Sequence, residues 1–257
     1  MKTAASLILA TVFLASFTPV SYETQSRDSV SSPPSRQHIL GTDDLGRDRA
    51  SRLLYGTRIS LLLAPCAALV TVIVAAAIGI TAGFIGGWWE TLAMRTTDLF
   101  LSLPWLFLFL ILRALLPLNT SPAVSLVLTF LLMGILGWAP AAGVIRSAVQ
   151  QFRTAEFVLQ ARACGCPEAR IWFAWLAPRL RGILLTQFFL SIPIFILGEA
   201  SLGILGLGVA EPTPSWGNLL RELTTAPPLS QYWIFAPVAL LILVMTSFQL
   251  LLPPREQ

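Results

Sequence analysis

The segment RSAVQQFRTAEFVLQARACGCPEARIWFAWLAPRLR, Arg146 to Arg181, decides how the chain is read, because it is a cationic, polar interval between long apolar runs. Six of the seventeen basic residues fall in it: Arg146, Arg153, Arg162, Arg170, Arg179 and Arg181. Thr154 is suited to cap a short helix, with Glu156 in the first turn, where negative charge complements the macrodipole. Phe157 to Cys164 continues that helix, Gly165 stops it, and Pro167 with Glu168 opens a second. Ile171, Trp172, Trp175 and Leu176 form an i, i+4 stripe fit to lie on lipid or on a neighbouring helix, and Pro178 closes the second helix. Two readings stay open here. The segment is either pushed by a partner outside the membrane, or it is a charged loop that only sets orientation.

Around it, hydrophobic residues make up 55% of the 257-residue chain and charged residues 12%, with a mean hydropathy of +0.74. That balance excludes a soluble globular domain and predicts an all-α, polytopic membrane protein. At roughly 20 apolar residues per span, the length accommodates about six transmembrane helices and no separate soluble domain. The net charge of +4 comes almost wholly from arginine, Lys2 being the single lysine, and suits contact with membrane lipid headgroups rather than nucleic acid, since no basic run interleaves with aromatics. Cys66, Cys164 and Cys166 lack zinc-finger or redox spacing and read as reduced thiols, so neither a metal nor another cofactor is expected.

In chain order, Ala4 to Val20 reads as a first span that is retained rather than removed as a signal peptide. Tyr22 to Arg58 is polar and holds the lone His38 and the cluster Gly41 to Asp48, which lacks calcium-loop spacing and reads as a solvated turn. Ile59 to Phe84 is a long span whose Gly79 and Gly83 permit close helix approach, ended at the interface by Gly86-Gly87-Trp88-Trp89. A third span is expected from about Leu99 to Leu118, with Pro104 near its start and Arg113 snorkelling near its end. Ser121-Pro122 makes a short turn into a fourth, Ser125 to Ile145. Gly182 to Leu207 is a fifth, interrupted by Pro193 and bearing Glu199 as its one ionisable group, a candidate for the translocation path, with a helix end facing water or a satisfied structural pair as the alternatives. The proline-set loop Glu211 to Asn218 follows, then a last span, Tyr232 to Leu252.

Three blocks carry a family resemblance. His38-Ile39-Leu40-Gly41-Thr42-Asp43-Asp44-Leu45-Gly46-Arg47-Asp48 with Gly56-Thr57-Arg58-Ile59-Ser60-Leu61, then Met94-Arg95 with Asp98 and Pro104, then Glu199-Ala200 through Leu205-Gly206-Leu207-Gly208 to Pro212-Thr213-Pro214-Ser215-Trp216-Gly217-Asn218, closely resemble permeases of the dipeptide/oligopeptide/nickel family of ABC importers. The resemblance spans roughly Pro33 to Phe248. It implies the type I permease fold in a bacterial inner membrane, with residues 1–58 as N-terminal helix and extracytoplasmic loop and 59–252 as permease core. It also implies that 146–181 is the cytoplasmic "EAA" loop that couples to the ATPase. In that motif Ala161, Gly165 and Pro178 keep register, Glu156, Phe157, Val158 and Arg162 fit, and Leu159 and Gln160 stand where the signature has Glu and Ala. Pro212, Pro214, Ser215 and Trp216 would then face an extracytoplasmic solute-binding protein.

The function expected is a non-catalytic permease subunit that admits short peptides or a similar small solute, a nickel or metal chelate being the alternative. Because the chain has no G-x-x-x-x-G-K-[ST] motif, ATP is expected to be bound by separate ABC ATPase subunits, and a second homologous permease to complete the pore. The rival is an intramembrane enzyme. One histidine excludes H-E-x-x-H, no G-x-S-x-G is present, and only Glu199 and Asp98 could pair as acids. A structural or assembly role is the third reading. The Tyr22 to Arg58 loop also holds six arginines, so the positive-inside count is a tie. The 146–181 segment is placed inside because the resemblance implies it and because Lys2 precedes the first helix.

Overall fold

The computed structural model describes residues 2–17, 21–115, 121–209, 211–225 and 232–251, and these are predominantly helical with two isolated antiparallel bridges in place of a sheet. The helices are α1 (Lys2–Ala15), α2 (Arg49–Ile85), α3 (Gly87–Ser102), α4 (Trp105–Leu115), α5 (Pro122–Leu136), α6 (Trp138–Arg153), α7 (Glu156–Ala163), α8 (Glu168–Arg170), α9 (Ala177–Ile204), α10 (Trp216–Thr225) and α11 (Ala236–Leu251). Among the described residues, four stretches are long and apolar enough to cross a membrane: Arg49–Ile85, Pro122–Arg153, Ala174–Ile204 and Tyr232–Leu251. Helices α1 and α4 are shorter apolar helices. The outer limits expected at Val20, Leu118 and Leu252, and the side chain of Arg113, lie outside the described residues.

Two compact units divide the chain, Met1–Ala64 with Arg113–Phe130 and Pro193–Gln257 in one, and Pro65–Leu112 with Leu131–Ile192 in the other. Helix α2 is continuous through Arg58 and Ile59 and begins well before the expected span. Its 37 residues reach about 55 Å at 1.5 Å per residue, against a hydrocarbon core of about 30 Å. Its first turns therefore stand in the polar layer. Pro193 does not interrupt α9, which runs through it. The third span, in contrast, is broken between α3 and α4, because Pro104 holds the preceding Leu103 in extended backbone.

In the first unit the loop before α2 is folded rather than solvated, a correction to the expected turn. Asp43 is 3% exposed; its carboxylate accepts the amides of Leu45 (3.0 Å) and Arg47 (2.8 Å) and the Arg47 Nε (2.7 Å). Asp48 accepts the Ser51 amide at 2.7 Å in the manner of a helix cap and also meets His38 Nδ1 at 3.0 Å, so His38 is paired rather than idle on the surface. Arg58 on α2 donates to the carbonyl of Ser16 at the end of α1 (2.8 Å) and lies over Phe17, while α1 packs on α11.

The stretch Glu211 to Asn218 is only partly loop. From Trp216 it is helix α10, and its anchors point inward. Trp216 is fully buried with Nε1 donating to Thr57 Oγ1 at 2.9 Å, Asn218 Nδ2 donates to the Val209 carbonyl at 2.9 Å, and Glu211 accepts from Arg47 (2.9 Å) and Arg52 (3.1 Å).

In the second unit α2 meets α6 at Gly79 and Gly83, whose missing side chains let the backbone of Ala142 and the side chains of Ile145 and Val149 approach. Ala75, Trp138, Ala142, Ile145, Val149 and Leu180 form the buried core there.

Candidate functional site

The 146–181 segment folds as α6, α7, α8 and the start of α9, and its turn chemistry explains its shape. Gly165 has φ +75°, with its amide donating to the Arg162 carbonyl (2.9 Å) and the Cys166 amide to the Ala161 carbonyl (3.0 Å). This is a Schellman stop, as expected from the glycine. Thr154, however, does not cap α7. Its hydroxyl turns back to the carbonyls of Gln150 (3.3 Å) and Gln151 (3.2 Å), finding acceptors in the last turn of α6, and Ala155 with extended backbone precedes α7.

Pro178 likewise does not close the second helix. The segment Ile171–Leu176 is a π-helical turn that continues into α9. Proline has no N–H and its ring crowds the carbonyl four residues back, here that of Ala174; a widened turn absorbs both effects without ending the helix.

The apolar stripe of this second limb folds back on α7 rather than onto lipid. Ile171 and Leu176 are buried with Val158 and Ala161, the Phe157 ring stacks on Trp175 at 6.1 Å and 11°, and the Arg179 guanidinium sits 4.0 Å from the Phe157 ring centroid. Glu156, Leu159, Gln160, Cys164, Gly165, Pro167, Glu168 and Pro178 remain exposed, so a rigid apolar hinge presents a polar surface. Arg162 Nε donates to Glu168 at 2.7 Å across the turn and holds that carboxyl below its usual range. Being exposed, the pair fixes the turn's geometry more than it adds stability. Of the expected segment residues, Glu156, Phe157, Ala161, Arg162 and Gly165 are thus brought onto one short hairpin, with Pro178 at its far end.

The other candidates separate. Glu199, in α9, is completely buried, with the Ser215 hydroxyl and the Gly217 amide beside its carboxylate. It sits in packing rather than on an open wall. Because a carboxamide of the same shape removes a buried charge while its oxygen can still accept from neighbouring donors, Glu199→Gln is expected to keep or raise the protein level and to leave uptake within about twofold. Loss of uptake at an unchanged protein level, measured with labelled solute in cells, would put the carboxylate in the translocation path. Pro214, Ser215 and Trp216 are buried, and only Pro212 of the four expected outward-facing residues is exposed. The three are spent on the contact with α2 at Gly56 and Thr57, which corrects the expectation that they face a partner.

A constellation not singled out from sequence lies at the base of the segment. Glu90 Oε1 in the first turn of α3 accepts from Arg146 Nε (2.9 Å) and Gln150 Nε2 (2.6 Å), and Arg153 Nη1 donates to the carbonyls of Gly83 (2.9 Å) and Phe84 (2.7 Å) at the end of α2. The Arg146 hydrogen bonds hold the Glu90 carboxyl below its usual range. The signal was present in the spacing: Arg146, Gln150 and Arg153 share one helix face.

Residues 75–257 match the family of the binding-protein-dependent transport system inner membrane component. The chain is 31% identical over 242 residues to the oligopeptide transport system permease protein OppC of Bacillus subtilis, covering 94% of this chain and 77% of that one. It is 34% identical over 236 residues to the dipeptide transport system permease protein DppC of the same organism, covering 91% and 71%. With OppC of Haemophilus influenzae it shares 31% over 234 residues, covering 90% and 73%.

Proposed function

The chain belongs to the family of binding-protein-dependent transport system inner membrane components, the multi-pass permease subunits of ABC importers, and from that premise we propose that it imports short peptides through a path completed by a second permease. Permeases of this family work with ATPase subunits and a solute-binding protein. In this reading residues 146–181 are the cytoplasmic contact for the ATPase, 1–58 form the first helix and the extracytoplasmic loop, and 59–252 form the permease core. The observation that carries it is the exposed α7–α8 hairpin, braced from within by Val158, Ala161, Ile171 and Leu176. A hairpin braced in this way moves as a body when a partner displaces it, and so biases the bundle between inward-open and outward-open states. The chain itself carries no catalytic chemistry in this scheme.

Uptake of labelled trialanine by cells that express the chain with its partner subunits, compared with cells lacking it, tests the substrate class. Equal uptake in both rejects peptide import. Orientation is tested by cysteine labelling. An impermeant maleimide should label Arg36→Cys, an exposed position in the outer loop, in intact spheroplasts, and the exposed native Cys164 only after permeabilisation. The reverse pattern would invert the topology.

A further inference from the structure

Helices α6 and α7 are joined by only Thr154 and Ala155, so a push on α7 could be absorbed by bending there. The structure carries a device that opposes this. Arg146, Gln150 and Arg153 lie on one face of α6 and reach two successive elements, α3 and the end of α2. Glu90 gathers Arg146 and Gln150 onto a single carboxylate oxygen, and Arg146 also reaches that oxygen through Nη2. Arg153 places its charge on the last carbonyls of α2, where a cation complements the macrodipole.

The Arg153 guanidinium also lies 5.6 Å from the Phe84 ring centroid, and Phe84 packs edge-on against Trp172 of the π-helical turn at 4.7 Å. The end of α2 is therefore gripped from α6 on one side and from the returning limb of the hairpin on the other. There is no slack behind the grip, since a side-chain carbon on Gly83 would lie 2.9 Å from Val149 Cβ. Just beyond it, Gly86 and Gly87, with φ +72° and +61°, make the corner between α2 and α3. Hydrogen bonds to ionised groups are directional and stronger than neutral ones, so they transmit a displacement along the bond where apolar contacts would slip.

We propose that Glu90, Arg146, Gln150 and Arg153 form a transmission latch that makes the base of the 146–181 segment and the α2–α3 corner move as one body. The four are positioning residues. The latch rests on the reading of that segment as the ATPase contact, and it names the route by which displacement leaves the hairpin.

The test uses the full complex with its ATPase subunits, the native cysteines replaced by serine, and an environment-sensitive fluorophore on Trp88→Cys, an exposed corner position. ATP with vanadate should shift the fluorophore. Glu90→Ala should reduce that shift by about tenfold, within the range of ordinary coupling energies, while ATP is still hydrolysed. The charge exchange Glu90→Arg with Arg146→Glu should restore it, which a merely structural role for Glu90 would not predict. A full shift in Glu90→Ala, or no rescue by the exchange in an assembled complex, overturns the latch. Should Glu90→Ala fail to assemble, Arg146→Lys and Gln150→Leu, each removing part of the latch, replace it, and a full shift in both is equally fatal. Gly165→Val separates the two levels. If it leaves the shift intact, the ATPase-contact reading falls; if it removes the shift while Glu90→Ala keeps it, the latch alone falls.

Discussion

Gly165→Val is expected to abolish solute-stimulated ATP hydrolysis and uptake in an assembled complex that still binds its solute-binding protein. The reason is confined to one backbone angle. Gly165 sits at φ +75°, and a side chain there would find nothing within 4 Å, so space is not what requires glycine. The left-handed conformation costs a non-glycine residue roughly 1–2 kcal/mol, more for a β-branched one. Relaxing it breaks the two Schellman hydrogen bonds that set α7 against α8. Since about 1.4 kcal/mol corresponds to a tenfold change in an equilibrium, a tenfold or greater fall in stimulated hydrolysis follows if the hairpin must hold this angle to engage the ATPase. Trialanine-stimulated hydrolysis in nanodiscs, with thermal stability matched to the parent, reads the effect. Normal stimulation would leave 146–181 as a loop that only sets orientation.

Gly203→Leu should prevent accumulation of folded protein altogether. Gly203 in α9 and Gly217 in α10 meet backbone to backbone: a side-chain carbon on Gly217 would lie 2.6 Å from the Gly203 Cα and 2.9 Å from the Glu199 carbonyl. Gly208 crowds the same glycine, since a side-chain carbon on it would lie 2.6 Å from the Gly203 Cα. No flexible side-chain end is available to give way. Overpacking typically costs 1–3 kcal/mol, and a clash with fixed backbone lies at or above the top of that range, about 3 kcal/mol or more. It would also pull Trp216 off Thr57 and Glu211 off Arg47 and Arg52, because α10 and its preceding loop are one block. Gly143→Ala is the control: it is a helical glycine with nothing within 4 Å, and the substitution should be neutral or stabilise by up to about 1 kcal/mol. Membrane-fraction yield and thermal aggregation of the detergent-solubilised protein measure both. Equal yields for the two variants would mean that the close approach of α9 and α10 is not needed for folding.

The parts of the fold legible in advance were those governed by one residue's local physics. Gly165 announced a left-handed stop whatever surrounded it, and the small residues Gly79 and Gly83 announced a close helix contact before the partner helix was known. Thr154 and Pro178 misled for a common reason. Each has a local preference that a neighbour can satisfy in another way, Thr154 by bonding back into α6 and Pro178 by a widened turn ahead of it. Trp216 differs in kind: the family resemblance implied that it faces a solute-binding protein, and only the hydroxyl of Thr57, 159 residues away in sequence, shows that it faces inward.

By itself the sequence determined the solvent of this protein and the rhythm of its helices, because apolar runs of bilayer length and positive-φ glycines act through short-range physics that needs no partner. Its blocks from His38 to Asp48 and from Glu199 to Asn218 also carried the family. Tertiary structure decided where the polar groups go. Asp43 became a buried organiser of its turn, Glu199 a packed interior carboxylate, and Glu90 the acceptor for an arginine and a glutamine 56 and 60 residues away. A hydrogen bond depends on ångström-scale placement of two groups at once, and no pattern along a single strand of sequence specifies that placement.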